Sequence, residues 1–187
     1  MPKKHIITLA GDLASGKGTV AKLLQERLAY EIYCNGEYFR SLAAKKGMSV
    51  KDFNLYVENH PEIDQEIEKS AGQYAKEHDN IIIDARLGWY VVPEAFHVYM
   101  KVDLEVAAKR ALQDQKRKDT ENYVSIEDAM QQIQARVNSE NKRYRELYQV
   151  DRTDMNNYLF VIDTTNITPE ETTEKILEAY QEWLQEK

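Results

Sequence analysis

Gly11-Asp12-Leu13-Ala14-Ser15-Gly16-Lys17-Gly18-Thr19 sets two fixed glycines, a lysine and a hydroxyl between an apolar run, His5 to Ala10, and a helix-like run that begins at Lys17. That order of residue types can wrap phosphate. Glycines let backbone N–H groups turn inward where a side chain would block them. The start of a helix adds partial positive charge. Lys17 can then reach the terminal phosphates of a nucleoside triphosphate. The commonest form of such a loop puts Ser or Thr directly after the lysine, as a magnesium ligand. Here Gly18 intervenes and Thr19 follows. A Gly-rich turn that happens to open a helix is the plain alternative.

Other candidates lie downstream. Asp84 ends the apolar run Asn80-Ile81-Ile82-Ile83-Asp84 and precedes Ala85-Arg86. A carboxylate at such a strand end can face the triphosphate and its magnesium; a helix cap or a loop salt bridge would also account for it. Arg86 offers a planar donor fork to a phosphate or a base edge, or is a surface arginine. Glu37 and Arg40 are three apart after Asn35-Gly36 and share a helix face. Arg40 reads as a ligand for a monophosphate; Glu37 suits a first helical turn through the helix dipole alone.

Arg136, Glu140 and Arg143 are spaced four and three apart on a long helical run. At about 100° per residue they border an apolar stripe of Met130, Ile133, Val137, Tyr144 and Tyr148, with Lys142 opposite. An intrahelical salt bridge worth a few tenths of a kcal/mol is the simpler reading. In phosphoryl transfer, Arg136 and Arg143 would neutralise charge as donor and acceptor phosphates meet. Lys109-Arg110 and Lys116-Arg117-Lys118 form a basic stretch in an acidic chain. It is either a solvated face or a mobile lid over the nucleotide, with Arg110 among the ATP contacts.

These residues need a frame. Strands are expected at His5–Ala10, near Cys34, at Asn80–Asp84, Phe96–Val102 and Leu159–Asp163. Helices are expected at Lys17–Tyr30, Gly36–Lys46, Ser49–Glu58, Pro61–Glu77, Leu104–Gln115 and Ser125–Tyr148, and after the capping box Thr168-Pro169-Glu170-Glu171. Ile63, Ile67, Ala71, Tyr74 and Ala75 trace one apolar face. The alternation implies a parallel sheet covered on both faces, with ligands at the carboxyl ends of its strands. The loops beginning at Gly11, Cys34 and Asp84 must cluster there.

The chain has 187 residues, 42% apolar and 30% charged, which suits one α/β domain. A net charge of -7 argues against duplex nucleic acid as partner. The single cysteine, Cys34, excludes an internal disulfide framework and a thiolate-rich metal site. It reads as a buried residue at a strand end in a reducing compartment. The apolar run after Lys3 and Lys4 is too short for a signal core. No stretch is long enough to span a bilayer, so a cytoplasmic monomer without membrane contact is expected. The four histidines show no ligand spacing.

Taken in order, the motifs resemble the cytidylate kinase family, in its short archaeal-type form, over nearly the whole chain. The matching pieces are Gly11 to Thr19, Gly36 to Arg40, Pro61-Glu62-Ile63-Asp64, Asp84-Ala85-Arg86, and Arg136 through Asp151. Alanine stands at Ala85 where many members have glycine, and Glu140 where longer bacterial forms carry aspartate. The resemblance implies a P-loop NTPase-type α/β fold: a parallel five-stranded sheet with helices on both faces, monophosphate-binding helices and a helical lid. It implies transfer of the γ-phosphate of ATP to CMP or dCMP with Mg2+. Magnesium would then be held mainly through water and substrate oxygens, near Asp84 and Thr19. By matching position, Arg40 and Arg143 would bind the acceptor phosphate, Arg136 the transferred phosphate and Glu140 the acceptor sugar. Glu37, Arg86 and Asp64 would lie in the acceptor site, the last two near the base, and the loop Thr164 to Ile167 would approach adenine. The partition that follows has a core of 1–34, 79–110 and 158–187, an acceptor-binding insert of 35–78, and a lid with arginine helix of 111–157. A kinase for another nucleotide or small acceptor, or a non-catalytic nucleotide sensor, are the rival readings. The sensor would need neither acceptor arginines nor a lid.

Overall fold

The apolar runs pair as one parallel sheet. Strands β1 (Ile6–Gly11), β2 (Glu31–Cys34), β3 (Ile81–Asp84), β4 (Phe96–Lys101) and β5 (Phe160–Asp163) lie in the order β2-β3-β1-β4-β5. Residues 4–114 and 123–186 are described by this computed structural model. The period-two alternation of a strand divides its side chains between two cores. Ile82 joins Ile7, Leu9, Val98 and Met100 beneath α1 (Lys17–Leu28) and α8 (Pro169–Gln185). Ile81 and Ile83 point the other way, with Ile6, to Ala71 and Ala75 of α4 (Pro61–Glu77). Burial on both faces explains why these strands read as continuous apolar runs.

Two smaller clusters carry the arms around the strand ends. Ala43, Phe53, Val57, Ile63 and Ile67 lock α2 (Asn35–Lys45) and α3 (Val50–Val57) onto α4. Leu13, Ala107, Ala108, Ala129 and Ile133 join the loop after β1 to α6 (Leu104–Gln113) and α7 (Ile126–Tyr148). Helix starts follow the capping chemistry. Ser125 accepts from Asp128 N, and the Thr168–Glu171 capping box is formed in full.

The short α5 (Gly88–Val91) and a 3-10 turn at Met155–Asn157 were not expected. Each is too short to show a period. Most other bounds shift by one or two residues, because caps belong to neither element. Tyr74 is half-buried at the edge of its face, stacked on Tyr33 at 4.8 Å. Cys34, expected as buried, is only partly buried. It ends the edge strand β2, so only one neighbour covers it. The run Lys116-Arg117-Lys118, the heart of the expected lid, lies outside the described residues.

Candidate active site

A cavity of about 980 Å³ opens along the carboxyl ends of the strands. The strand order fixes what lies where. Arg110, Thr164 and Ile167 line it beside β4 and β5, the loop Leu13–Thr19 lines it after β1, and Asp84 and Arg86 after β3. Asn35, Glu37 and Arg40 close it after β2. At about 4.8 Å per strand spacing, the row spans roughly 19 Å.

The loop after β1 folds as a nest. Ala14 and Gly16 both take positive φ, 58° and 91°. Successive N–H groups in such turns tend to point to one side; Ser15 N is taken by Asp12 O at 3.3 Å and Thr19 N by Gly16 O at 3.0 Å, so the first N–H groups of α1, those of Lys17 and Gly18, are the ones without a helical acceptor. Lys17 lies buried across the loop. Its Nζ donates to Asp12 O at 2.8 Å, Gly11 O at 3.3 Å and Ser15 Oγ at 3.4 Å. Burial, and then Arg86, lower its pKa to about 7, with Asp84 opposing. Gly18 and Thr19 are exposed to the cavity.

Gly11 and Asp12 were expected around the phosphate and lie off the cavity wall instead. Gly11 is set by β4: a Cβ there would meet Met100 O at 2.3 Å. The Asp12 carboxylate turns to β4, accepting from Tyr99 OH at 2.8 Å and Val102 N at 3.0 Å. Both residues hold the loop in place from beneath.

Beside β4 and β5, Arg110 gives Nη2 to Thr164 O at 2.6 Å and Nη1 to Thr164 Oγ1 at 3.3 Å. The Thr164 hydroxyl lies 3.0 Å from Ser15 O and 2.9 Å from Lys101 O, with one proton to share between them. The loop after β5 is thereby tied to the phosphate loop. Arg110 borders the cavity and fixes that loop at the same time.

The long helix brings its charges inward as its spacing suggested. Glu140 is buried, with Oε2 taking Arg86 Nε at 2.9 Å and Oε1 taking Arg136 Nε at 3.0 Å. Arg152 Nη2 lies 4.0 Å away. Burial alone would raise the Glu140 pKa; Arg86, Arg136, Arg152 and Arg143 outweigh it and hold the carboxyl well below its usual range. One carboxylate thus gathers three guanidinium groups, two of which, Arg86 and Arg136, line the cavity. Arg86 was expected to reach for the acceptor. Its Nε is held by Glu140 and its Nη1 by Gly11 O at 3.3 Å, so it braces the phosphate loop against α7 while lining the cavity. Arg152, almost fully buried, was missed; it sits in a loop after α7 where no periodicity marks it.

Arg143 and Asp64 were expected as separate acceptor contacts. They form a buried ion pair, Nε to Oδ2 at 2.6 Å. Arg143 Nη1 also donates to Ser139 Oγ at 2.8 Å and Asn54 Oδ1 at 3.2 Å. Burial raises the Asp64 pKa despite Arg143. Both residues still line the cavity, so an entering phosphate would compete with Asp64. Arg40 lines it with no ion pair among the described residues. Glu37 is exposed at its rim. Asp84 takes a weak bond from Cys34 Sγ at 3.7 Å. Burial and the Asp84 charge both raise the thiol pKa. Asn35 and Glu68 are further buried cavity residues that the sequence reading passed over.

A parallel sheet in this order, with a lysine-bearing nest after its central strand and arginines facing it, defines a phosphate-loop kinase. Shikimate kinase from Acinetobacter baumannii, in complex with shikimate, matches the fold with a TM-score of 0.63 at 15% identity over 98% of this chain and 96% of its own. The cytidylate kinase-like family matches residues 6–166, and the chain belongs to it. The cytidylate kinase of Thermoplasma volcanium is 35% identical over 91% of this chain and 88% of its own. That of Pyrococcus horikoshii is 36% identical over 91% and 85%. The protein is therefore an enzyme of the nucleoside monophosphate kinase type. No helix among the described residues is long and apolar enough to cross a membrane.

Proposed function

We propose that the chain transfers the γ-phosphate of ATP to CMP or dCMP. The observation that carries this is one continuous cavity with the phosphate nest at its centre and arginines on its far side. ATP would lie from the nest toward Arg110 and Thr164. The monophosphate would lie toward Arg40 and Arg143. The named relatives supply the base.

A phosphate monoester has its second pKa near ~6, so it is largely dianionic at neutral pH. An acceptor oxygen can attack the γ-phosphorus directly: the new O–P bond forms as the β,γ-bridge bond breaks, and ADP leaves with that electron pair. No general base is required. The obstacle is repulsion between two anions, which Lys17, Arg40, Arg136 and Arg143 would offset. Arg40 and Arg143 would hold the acceptor phosphate, and Arg136 would follow the transferred group.

Magnesium suits the residues present. Asp84 and Thr19 offer hard oxygen donors on the cavity wall, and the described residues contain no dense ligand cluster. Magnesium keeps much of its water and substrate oxygen when bound this way, and supplies charge neutralisation to the phosphates. We assign 35–78 as the acceptor-binding insert and α7 as the arginine-bearing arm; Glu37 at the rim is an acceptor-side contact.

A coupled ADP-release assay with Mg-ATP over a panel of monophosphates, with direct detection of the diphosphate, tests the reading. CMP or dCMP should turn over fastest, and Arg40→Ala should raise the acceptor KM with the ATP KM unchanged. A tenfold preference for AMP or GMP would overturn the base assignment. Turnover of shikimate or another unphosphorylated acceptor in place of every monophosphate would overturn the reaction class.

A further inference from the structure

Two neighbouring buried side chains in the acceptor half of the cavity carry polar atoms that no hydrogen bond of ordinary geometry satisfies. Asn35, the first residue of α2, is 6% exposed, and neither its amide oxygen nor its amide nitrogen makes a hydrogen bond. Glu68, one turn beyond Asp64 on α4, is 4% exposed, and its Oε2 is likewise unbonded. Both line the cavity. A buried polar group left unbonded is costly, and native proteins rarely keep one without a purpose. Asn35 follows β2, two strands or roughly 10 Å from the phosphate loop. Phe39 and Ile67 on the same wall offer apolar surface to a flat ring.

We infer that Glu68 and Asn35 read the edge of the acceptor's pyrimidine ring, Glu68 through N3 and N4 of cytosine. This rests on the cytidine monophosphate reading above and assigns the residues that would enforce it. Cytosine presents an acceptor at N3 beside a donor at N4; uracil presents a donor at N3 beside an acceptor at O4. A neutral carboxyl carries a donor and an acceptor side by side, whereas a carboxylate only accepts. The neutral acid therefore gives cytosine two bonds. The carboxylate gives cytosine one bond and sets an oxygen against the N3 lone pair, yet it still accepts the uracil N3–H. Asn35 adds one more donor and acceptor at the same edge.

The surroundings keep Glu68 neutral. Burial first, and then the Asp64 charge on its own helix, push its pKa up to about 8. Glu140 from α7 adds to this, while Asn35 from α2 and Arg86 after β3 oppose it. Tyr144 and Tyr148 of α7 also face it, and Asp64 is held by Arg143. At neutral pH the group is mostly an acid.

The test is the ratio of kcat/KM for CMP to that for UMP, measured with Mg-ATP from about pH 6.5 to about pH 8.5. The ratio cancels titrations that both reactions share, including those of Lys17 and the acceptor phosphate. With a Glu68 pKa of about 8, the ratio should fall about fourfold over this range. Glu68→Gln keeps a donor and an acceptor at every pH and should flatten the profile. Glu68→Leu should raise the CMP KM about tenfold with the ATP KM unchanged. If the leucine variant fails to fold, the glutamine variant alone decides. CMP turnover with a flat ratio in the unaltered enzyme, or with an unchanged profile in Glu68→Gln, overturns this inference and leaves the proposed reaction standing. Failure of the unaltered enzyme to use any pyrimidine monophosphate overturns both.

Discussion

Lys17 is the residue on which the proposed donor site turns. Without a phosphate it lies on neutral carbonyls, and burial brings its pKa to about 7. A triphosphate in the nest replaces those carbonyls with charge and restores the cationic form. ATP binding at about pH 8 should therefore take up close to one proton, and at about pH 6 almost none. Titration calorimetry of Mg-ATP in buffers of different ionisation enthalpy measures this. Lys17→Arg, which holds its charge, should abolish the uptake; no buffer dependence at the higher pH would remove Lys17 from the phosphate. The same shift acts on folding. Between about 7 and 10.5 the unfolded lysine binds more protons than the folded one, so this group makes stability rise with pH across that window. Lys17 and the trio of α7 were legible as residues of one cavity because that placement follows from covalent spacing. Asn35, Glu68 and Arg152 were not, because burial is a property of the assembled fold. Glu68 did leave a trace: with Asp64 at i−4 it interrupts the face of Ile63, Ile67 and Ala71, and an acid on an apolar face seeks a partner.

Among the elements, the contact of β1 with β4 limits the site most tightly. Gly11 pairs with Met100, at a φ of 147°. An added methyl would strike main-chain atoms that cannot move aside without breaking the sheet. Gly11→Ala should cost about 1–3 kcal/mol or more and lower the melting temperature by about 2–4 °C for each kcal/mol. Gly18 has open space around its Cβ position, so Gly18→Ala should melt within about 2 °C of the parent. Its methyl would face the cavity, so the ATP KM should rise. Thermal unfolding with steady-state kinetics separates the two; equal melting temperatures for both variants would contradict this role for Gly11. Strand order was not legible. The sequence showed that loops at Gly11, Cys34 and Asp84 share one end, but their left-to-right order comes from right-handed crossovers and packing. That order sets Glu37 and Arg40, which follow β2, toward one end of the cavity and Arg110 and Thr164, which follow β4 and β5, toward the other.

At the scale of the molecule, the sheet is a ruler. In the proposed reading its five strand ends would set donor-base, phosphate and acceptor contacts in a row of roughly 19 Å, and Glu140 ties Arg86, after β3, to α7. A ligand that joins adenosine and cytidine through a chain of phosphates would satisfy the whole row at once. Each ligand stabilises the folded chain by RT ln(1 + [L]/Kd), so the melting temperature reports occupancy. The joined ligand should raise it above the values given by saturating ATP or CMP alone. Arg40→Ala should lessen the increment for the joined ligand and for CMP but leave that for ATP intact, since Arg40 stands at the β2 end. Asp64→Ala should do something different. It leaves Arg143 buried without its partner, which costs about 3–5 kcal/mol in the free protein, and a bound acceptor phosphate would recover much of that. The shift produced by CMP should then be larger in Asp64→Ala than in the parent. A smaller shift in that variant would mean that Arg143 remains bound to structure and never reaches the phosphate.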